Sequence, residues 1–382
     1  MPISFERSWM DADLALYQDT VVRFIEQEMQ PHDEAARKRG HVGQEIWRKA
    51  GALGLLCSDI PETYGGGGGD FRYEAVLYEA MARRGLSGMN SSVHSIVAHY
   101  FLNHGTEQQK AYYLPKMASG ELVGAIAMTE PGAGSDLQGI RTTAIAQDGG
   151  YRINGSKTFI SNGFLAGVVL VVCKTDPSQG ARGTSILIVE TQDCPGFQVG
   201  RVLDKMGMKA QDTSELFFDN VQVPAGQLLG GVEGQGFFQL MADLPYERTI
   251  IGVSGLAAME GAYEAALAYT RERQAFGKSV FDFQNTRFKL AEVATQIAVG
   301  RAFVDQCVQR LVDGSLDTAT ASMAKLWVSE TQGKVIDECL QLFGGYGYMN
   351  EYLVARLYTD ARIQRIYGGT NEIMKEVIAR NL

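Results

Sequence analysis

The stretch "LVGAIAMTEPGAGSDLQG", residues 122–139, marks where the chain changes from helix to sheet. Upstream of it the chain reads as helix; at "LVGAIAMTE" the texture changes to short β-rich segments. The loop that follows carries Gly132-x-Gly134, which invites a dinucleotide-binding reading. That reading fails, because the spacing beyond it is wrong for the fingerprint and the loop runs into more β structure instead of a helix. "GYRINGSKT" at 150–158 is a near miss for a P-loop and also lies among strands, so it is excluded too.

Working outward, "DADLALYQDTVVRFIEQEMQ" has apolar residues at 14, 17, 21, 24, 25 and 29, a helical stripe expected to end at Pro31. "GQEIWRKAGALGLL", "FRYEAVLYEAMARRG", "SSVHSIVAHYFLNHG" and "TEQQKAYYLPKMASG" continue the helices, the last with Thr106 as cap. The glycine run of "PETYGGGGGD" is expected to be a flexible surface turn. Downstream, "TTAIAQ", "YRINGSKTFIS", "GVVLVVCKT", "TSILIVE", "FQVGRVL" and "SELFFDNVQV" read as strands at sandwich- or barrel-like spacing. From "GVEGQGFFQL" the chain returns to helix, with three segments of bundle length. The expectation is an α+β multidomain chain. It has a helical domain at 1–121, a β-barrel or sandwich domain at 122–231 and a four-helix-bundle domain at 232–382.

The bulk properties set limits. A chain of 382 residues with 45% hydrophobic and 21% charged residues suits two or three globular domains. A net charge of −9 argues against nucleic acid as partner. Five scattered cysteines form no C-x-x-C pair, which fits a reducing compartment and neither a disulfide framework nor zinc. The N-terminus lacks the apolar core of a signal peptide, and "VVLVVC" is far too short for a membrane span, so a cytoplasmic protein is expected. No metal site is expected: His94 and His99 are five apart, off the i, i+4 spacing of zinc helices.

Six ordered motifs carry more than any piece: "AIAMTEPGAGSD", "KTFISNG", "DKMGMKAQDTSELFFDNVQVP", "RERQAFGK", "QLFGGYGYMNEY" and "IYGGTNEIM". With them the sequence resembles the acyl-CoA dehydrogenase family over essentially all of its length. The resemblance implies FAD held between the β domain and the C-terminal helices, and oxidation of an acyl-CoA thioester to the trans-2-enoyl-CoA. It implies that Met128 and Thr129 meet the flavin ring, that Phe159 packs on it and that the Ser161 hydroxyl reaches its N5. Relatives often have Trp and Thr at those last two places. Ser135 would bind the CoA moiety. Arg273 and Phe276 would hold the pyrophosphate and adenine end from a neighbouring subunit, completed by Gln284, Gln341, Gly344 and Gly345; Ala275 replaces a hydroxyl residue common in relatives. Thr370 and Glu372 belong to the cofactor set by the same resemblance, and by pattern are the cap and first-turn acid of the last helix. The implied partners are an electron-transfer flavoprotein and three further copies of the chain, a homotetramer.

The family's chemistry needs a base, which many relatives carry in the C-terminal loop as Y-E-G-T. Here the loop reads Tyr367-Gly368-Gly369-Thr370. The isovaleryl- and long-chain-type branch has Gly in the loop and a Glu on the first long C-terminal helix, where this chain has "LPYERTIIG". The resemblance therefore implies Glu247 as base and the Gly368 N–H as a donor to the thioester oxygen, with a small residue at 368 leaving volume for Glu247. Arg248, Tyr246 and Tyr367 are expected beside the substrate, and Glu130 and Glu372 are rival carboxylates. Alternatives are a same-fold oxidase, a dehydrogenase of carrier-protein-bound acyl groups, and a flavin- or acyl-CoA-binding protein without activity.

Overall fold

The computed structural model describes residues 5–382. Helices come first: α1 (Ala12–Phe24), α2 (Asp33–Arg39), α3 (Gln44–Ala52), α4 (Phe71–Ala82), α5 (Ser91–His104) and α6 (Glu107–Ala118). Thr106 caps α6 with a reciprocal capping box to Gln109, which satisfies two otherwise orphaned N–H groups. Pro31 does not end the first stripe. The helix widens into a π turn at Ile25–Met29, and Pro31 then sits in the 3₁₀ turn Gln30–His32 ahead of α2, where its missing N–H is not needed.

The glycine run is the expected irregular surface turn, but one tied down by backbone hydrogen bonds. The amides of Gly66, Gly67, Gly68 and Gly69 donate to the carbonyls of Pro61, Cys57, Ile60 and Ser58. A Cβ on Gly66 would stand 2.2 Å from the Ile60 carbonyl oxygen. The glycines are there for close backbone approach, which the sequence pattern does not distinguish from mobility.

The middle of the chain is one curled sheet of β1 (Gly124–Ala127), β2 (Thr143–Gln147), β3 (Gly150–Ser161), β4 (Val168–Lys174), β5 (Thr184–Glu190), β6 (Phe197–Val202) and β7 (Thr213–Pro224). The order is β1-β4-β2-β3-β7-β6, with β5 beside β4. All of β4 is buried, and its period of two feeds two cores. Val168, Leu170 and Val172 pack with α5 and α6, while Val169, Val171 and Cys173 pack with β3 and β7.

The C-terminal part has three long helices, α7 (Gly236–Glu272), α8 (Gln284–Val312) and α9 (Thr318–Gln341), with a short hairpin β8 (Gln274–Ala275)–β9 (Lys278–Ser279). The shorter α10 (Leu353–Ala361) and α11 (Asn371–Ala379) follow. One core cluster joins α1 and α4 to α7, α8, α9 and α10. The first helices therefore pack on the last ones, and α5 lies along α7 beside the sheet. Arg301 of α8 is buried in that junction, bonded to Glu79, Glu260 and Asp305 from three helices. Among the described residues no helix is long and apolar enough to cross a membrane.

Candidate active site

Glu247 lies on the α7 face that meets α5. It is buried, and the Tyr100 hydroxyl donates to its Oε1 at 3.1 Å. Burial pushes its carboxyl up to about 7; the Tyr100 bond opposes that rise, the charge of Asp243 adds to it, and Arg248 opposes it weakly. Asp243 is one helical turn earlier, on the same face, and is held by Asn103 Nδ2 at 2.6 Å and His104 Nε2 at 2.8 Å. Tyr246, buried next to the glutamate, donates to Asp59 at 3.0 Å and packs its ring on His99, centroids 3.9 Å apart. Arg248 points towards α9, donating from Nη1 to Ser322 at 2.8 Å, and its buried Nε has no partner among the described residues.

The loop before α11 is pinned from α9. Buried Lys325 donates to the Gly369 carbonyl and to Asn371 Oδ1, both at 2.8 Å. Thr370 caps α11 by accepting from the Ile373 amide, and Glu372 is an exposed first-turn acid held below its ordinary range by its own amide and the Thr370 hydroxyl. Glu372 thus has the setting of a capping acid at a helix start. Gly368 and Gly369 have φ of +62° and +88°, where only glycine is unstrained. A Cβ on Gly368 would stand 2.4 Å from Ile251 Cδ1, one turn beyond Glu247 on α7. The steric demand for glycine is real, but Ile251, not Glu247, is the side chain that creates it. Tyr367 is half-buried in the same loop.

A second group gathers where β1 ends against β3. Lys157 Nζ donates to the Met128 carbonyl and to Glu130, both at 2.9 Å, and the Thr158 amide donates to the Thr129 carbonyl at 2.9 Å. Glu130 also accepts from the amides of Arg141 and Thr142. Two register shifts interrupt the β3–β7 ladder, one of them between Lys157 and Ile160. Phe159 sits in that bulge at φ +60°, 67% exposed. The Ser161 hydroxyl accepts from Gln211 Nε2 at 3.0 Å, and Gln211 Oε1 is buried without a partner among the described residues. Ser135 is exposed in the loop between β1 and β2.

A third group lies at the end of α9. Arg273, Gln341, Gly344 and Gly345 line one cavity of about 520 Å³, with Tyr269, Phe343 and Tyr346. Neither Gly344 nor Gly345 has an atom within 4 Å of where a Cβ would stand, so the rim is open. Phe276, at the tip of the β8–β9 hairpin, is 96% exposed, and Gln284 is exposed at the start of α8.

The second and third groups each suit one part of a flavin dinucleotide: an exposed aromatic face with nearby hydroxyls suits the ring, and a cationic, glycine-rimmed cavity suits the anionic tail of a cofactor, which need not be the same copy. Sequence reasoning missed Tyr100, Asp243, Lys157, Lys325, Gln211 and Ile251. Only Asp243, four residues before Glu247, carried a local signal. The other partners come from remote segments. His94 is a core residue: burial pushes it down to about 4, and it bridges the Met117 carbonyl and the Gly124 amide.

Three matches to family descriptions follow the chain: acyl-CoA dehydrogenase N-terminal domain at 11–121, middle domain at 125–221 and C-terminal domain at 234–382. The long-chain specific acyl-CoA dehydrogenase of Mus musculus mitochondria is 49% identical over 370 residues, covering 96% of this chain and 86% of its own. The isovaleryl-CoA dehydrogenase of Oryza sativa subsp. japonica mitochondria is 35% identical, covering 96% and 89%. The crystal structure of an acyl-CoA dehydrogenase from Geobacillus kaustophilus superposes with a TM-score of 0.95 at 44% identity, covering 98% and 99%.

Proposed function

We propose, for a chain that belongs to the acyl-CoA dehydrogenase family and is an oxidoreductase of that class, that Glu247 is the base that takes the α-proton of an acyl-CoA thioester to give the trans-2-enoyl-CoA. The carrying observation is the Glu247 carboxyl itself, buried, raised to about 7 and bonded by one phenol. A carboxylate so placed is basic enough to accept a proton near neutrality, whereas an ordinary surface Glu is not. Members of the family are FAD enzymes; FAD, when bound, supplies the acceptor for the hydride that leaves the β-carbon.

The chain's own residues do the rest. The Gly368 N–H donates to the thioester carbonyl oxygen as it gains enolate character, in a loop that Lys325 holds by the next carbonyl. Tyr246 and Tyr367 bound the space beside the thioester, with Arg248 behind the loop, and Ser135 meets the CoA chain. Met128, Thr129, Phe159 and Ser161 would hold the flavin ring. Arg273, Phe276, Gln284, Gln341, Gly344 and Gly345 would hold the dinucleotide end, with Thr370 and Glu372 at the helix start. The exposure of Phe276 supports a cofactor shared between copies of the chain, and the assembly proposed is the homotetramer. The partner proposed as electron acceptor is an electron-transfer flavoprotein. Five free cysteines, four of them buried, suit a cytoplasmic setting.

The test is anaerobic bleaching of the flavin's visible band against thioesters from isobutyryl- and isovaleryl- to palmitoyl-CoA. Bleaching by at least one, with enoyl product, is expected; none across the panel contradicts the reading. Rapid reoxidation by air with peroxide would make it an oxidase instead.

A further inference from the structure

We propose that Tyr100 and Asp243 are positioning residues for Glu247, acting on its carboxylate in opposite senses across the α5–α7 contact. The inference rests on Glu247 being the base. Residues 100, 103 and 104 lie on one face of α5 at i, i+3, i+4 spacing, and residues 243 and 247 lie on one face of α7 at i, i+4 spacing. The two faces are joined by three polar contacts: Tyr100 to Glu247, Asn103 to Asp243 and His104 to Asp243. Side chains at both ends are fixed. Tyr100 is fully buried with its ring against His104, and the Asp243 side chain is 7% exposed.

The consequence is asymmetric. Tyr100 engages Oε1, and no hydrogen bond reaches Oε2 among the described residues, so Oε2 is the atom left to take the proton. A phenol donating to a carboxylate stabilises the anion and fixes its rotamer, which orients the base but weakens it. Asp243 does the reverse, since a like charge one turn away makes Glu247 hold a proton more tightly. The charged or titratable groups facing Glu247 are Tyr100 from α5 and Asp243 and Arg248 on α7. His104 acts through Asp243, and Lys325 of α9 stands behind Arg248.

The experiment uses the FAD-loaded enzyme as wild type, Tyr100→Phe, Asp243→Asn and Glu247→Gln. Flavin bleaching by the best thioester of the panel is followed against pH. The Glu247 carboxyl is also titrated by infrared difference spectroscopy without substrate, with Glu247→Gln as blank. Expected are a midpoint raised by about one pH unit in Tyr100→Phe and lowered by about one in Asp243→Asn. The limiting rate of Tyr100→Phe should fall about tenfold through loss of orientation. If Tyr100→Phe does not fold, 3-fluorotyrosine at 100, a stronger donor of the same shape, should lower the midpoint. Midpoints that stay put, or move together, overturn the proposal even when Glu247→Gln is inactive. Wild-type bleaching by Glu247→Gln would instead remove the base assignment, while opposite infrared shifts would still show the α5 clasp.

Discussion

Glu130 in the loop after β1 and Glu247 on α7 are both buried glutamates, 8% and 9% exposed, yet burial leads them to opposite chemistry. For Glu130, burial raises the carboxyl, but the Lys157 bond and charge, with contacts from Thr142 and the Arg141 amide, bring it below its ordinary range. For Glu247, burial meets only a phenol and the weak opposing charge of Arg248, with Asp243 adding to the rise. A third case sharpens the contrast. Glu74 is buried beside Asp59 and also lies above its ordinary range, but it accepts from the Ser58 amide and from the hydroxyls of Ser58, Tyr78 and Ser95. Partner count, not burial, separates a structural carboxylate from one with an oxygen left for chemistry.

The widest test of that comparison removes each carboxylate's charge. Glu247→Gln should keep its FAD and thioester binding but lose bleaching by about 10²–10⁴-fold, measured by stopped flow. Glu130→Gln should do the opposite. It leaves Lys157 buried without its counter-charge, which costs about 3–5 kcal/mol of stability, read from denaturant unfolding, while the pH midpoint of bleaching stays that of wild type. A stable Glu130→Gln enzyme that cannot abstract a proton would break the comparison.

The same contrast has a stability signature. Because the folded Glu247 carboxyl lies above its unfolded value, the native state binds the extra proton between about pH 4.3 and 7, and stability falls as pH rises through that window. Glu247→Gln should therefore be more stable than wild type at pH 8, on the order of 3 kcal/mol, with the difference vanishing below about pH 4. Thermal unfolding at the two pH values measures it.

The smallest effect belongs to the loop. Gly368→Ala combines a left-handed φ with the approach to Ile251, and should cost about 1–3 kcal/mol. Ile251→Ala in the same chain should return part of that loss. For the same reason, moving the base by Glu247→Gly with Gly368→Glu should recover more activity when Ile251 is also trimmed.

Part of this arrangement was legible in the sequence. Thr370 was visible as a cap, whereas Glu247 was named only through the family resemblance of "LPYER" and the glycine at 368, its pattern alone being that of an ordinary helix residue. The helix–sheet–helix order followed from the change of period near 122. The tuning of Glu247 was not legible, because Tyr100 lies 147 residues away and only packing of α5 on α7 brings it close. The backbone hydrogen bonds that hold the glycine run were not legible for a related reason: close backbone approach and mobility share one composition.

Glu247 as base is a statement about one proton. The direct measurement is exchange of α-hydrogen for deuterium from heavy water in a bound 3-thiaacyl-CoA, whose sulfur at the β position leaves no hydride to transfer. Mass spectrometry should show exchange with the wild-type enzyme and none above background with Glu247→Gln. Exchange at the wild-type rate in Glu247→Gln would place the base elsewhere and contradict the account.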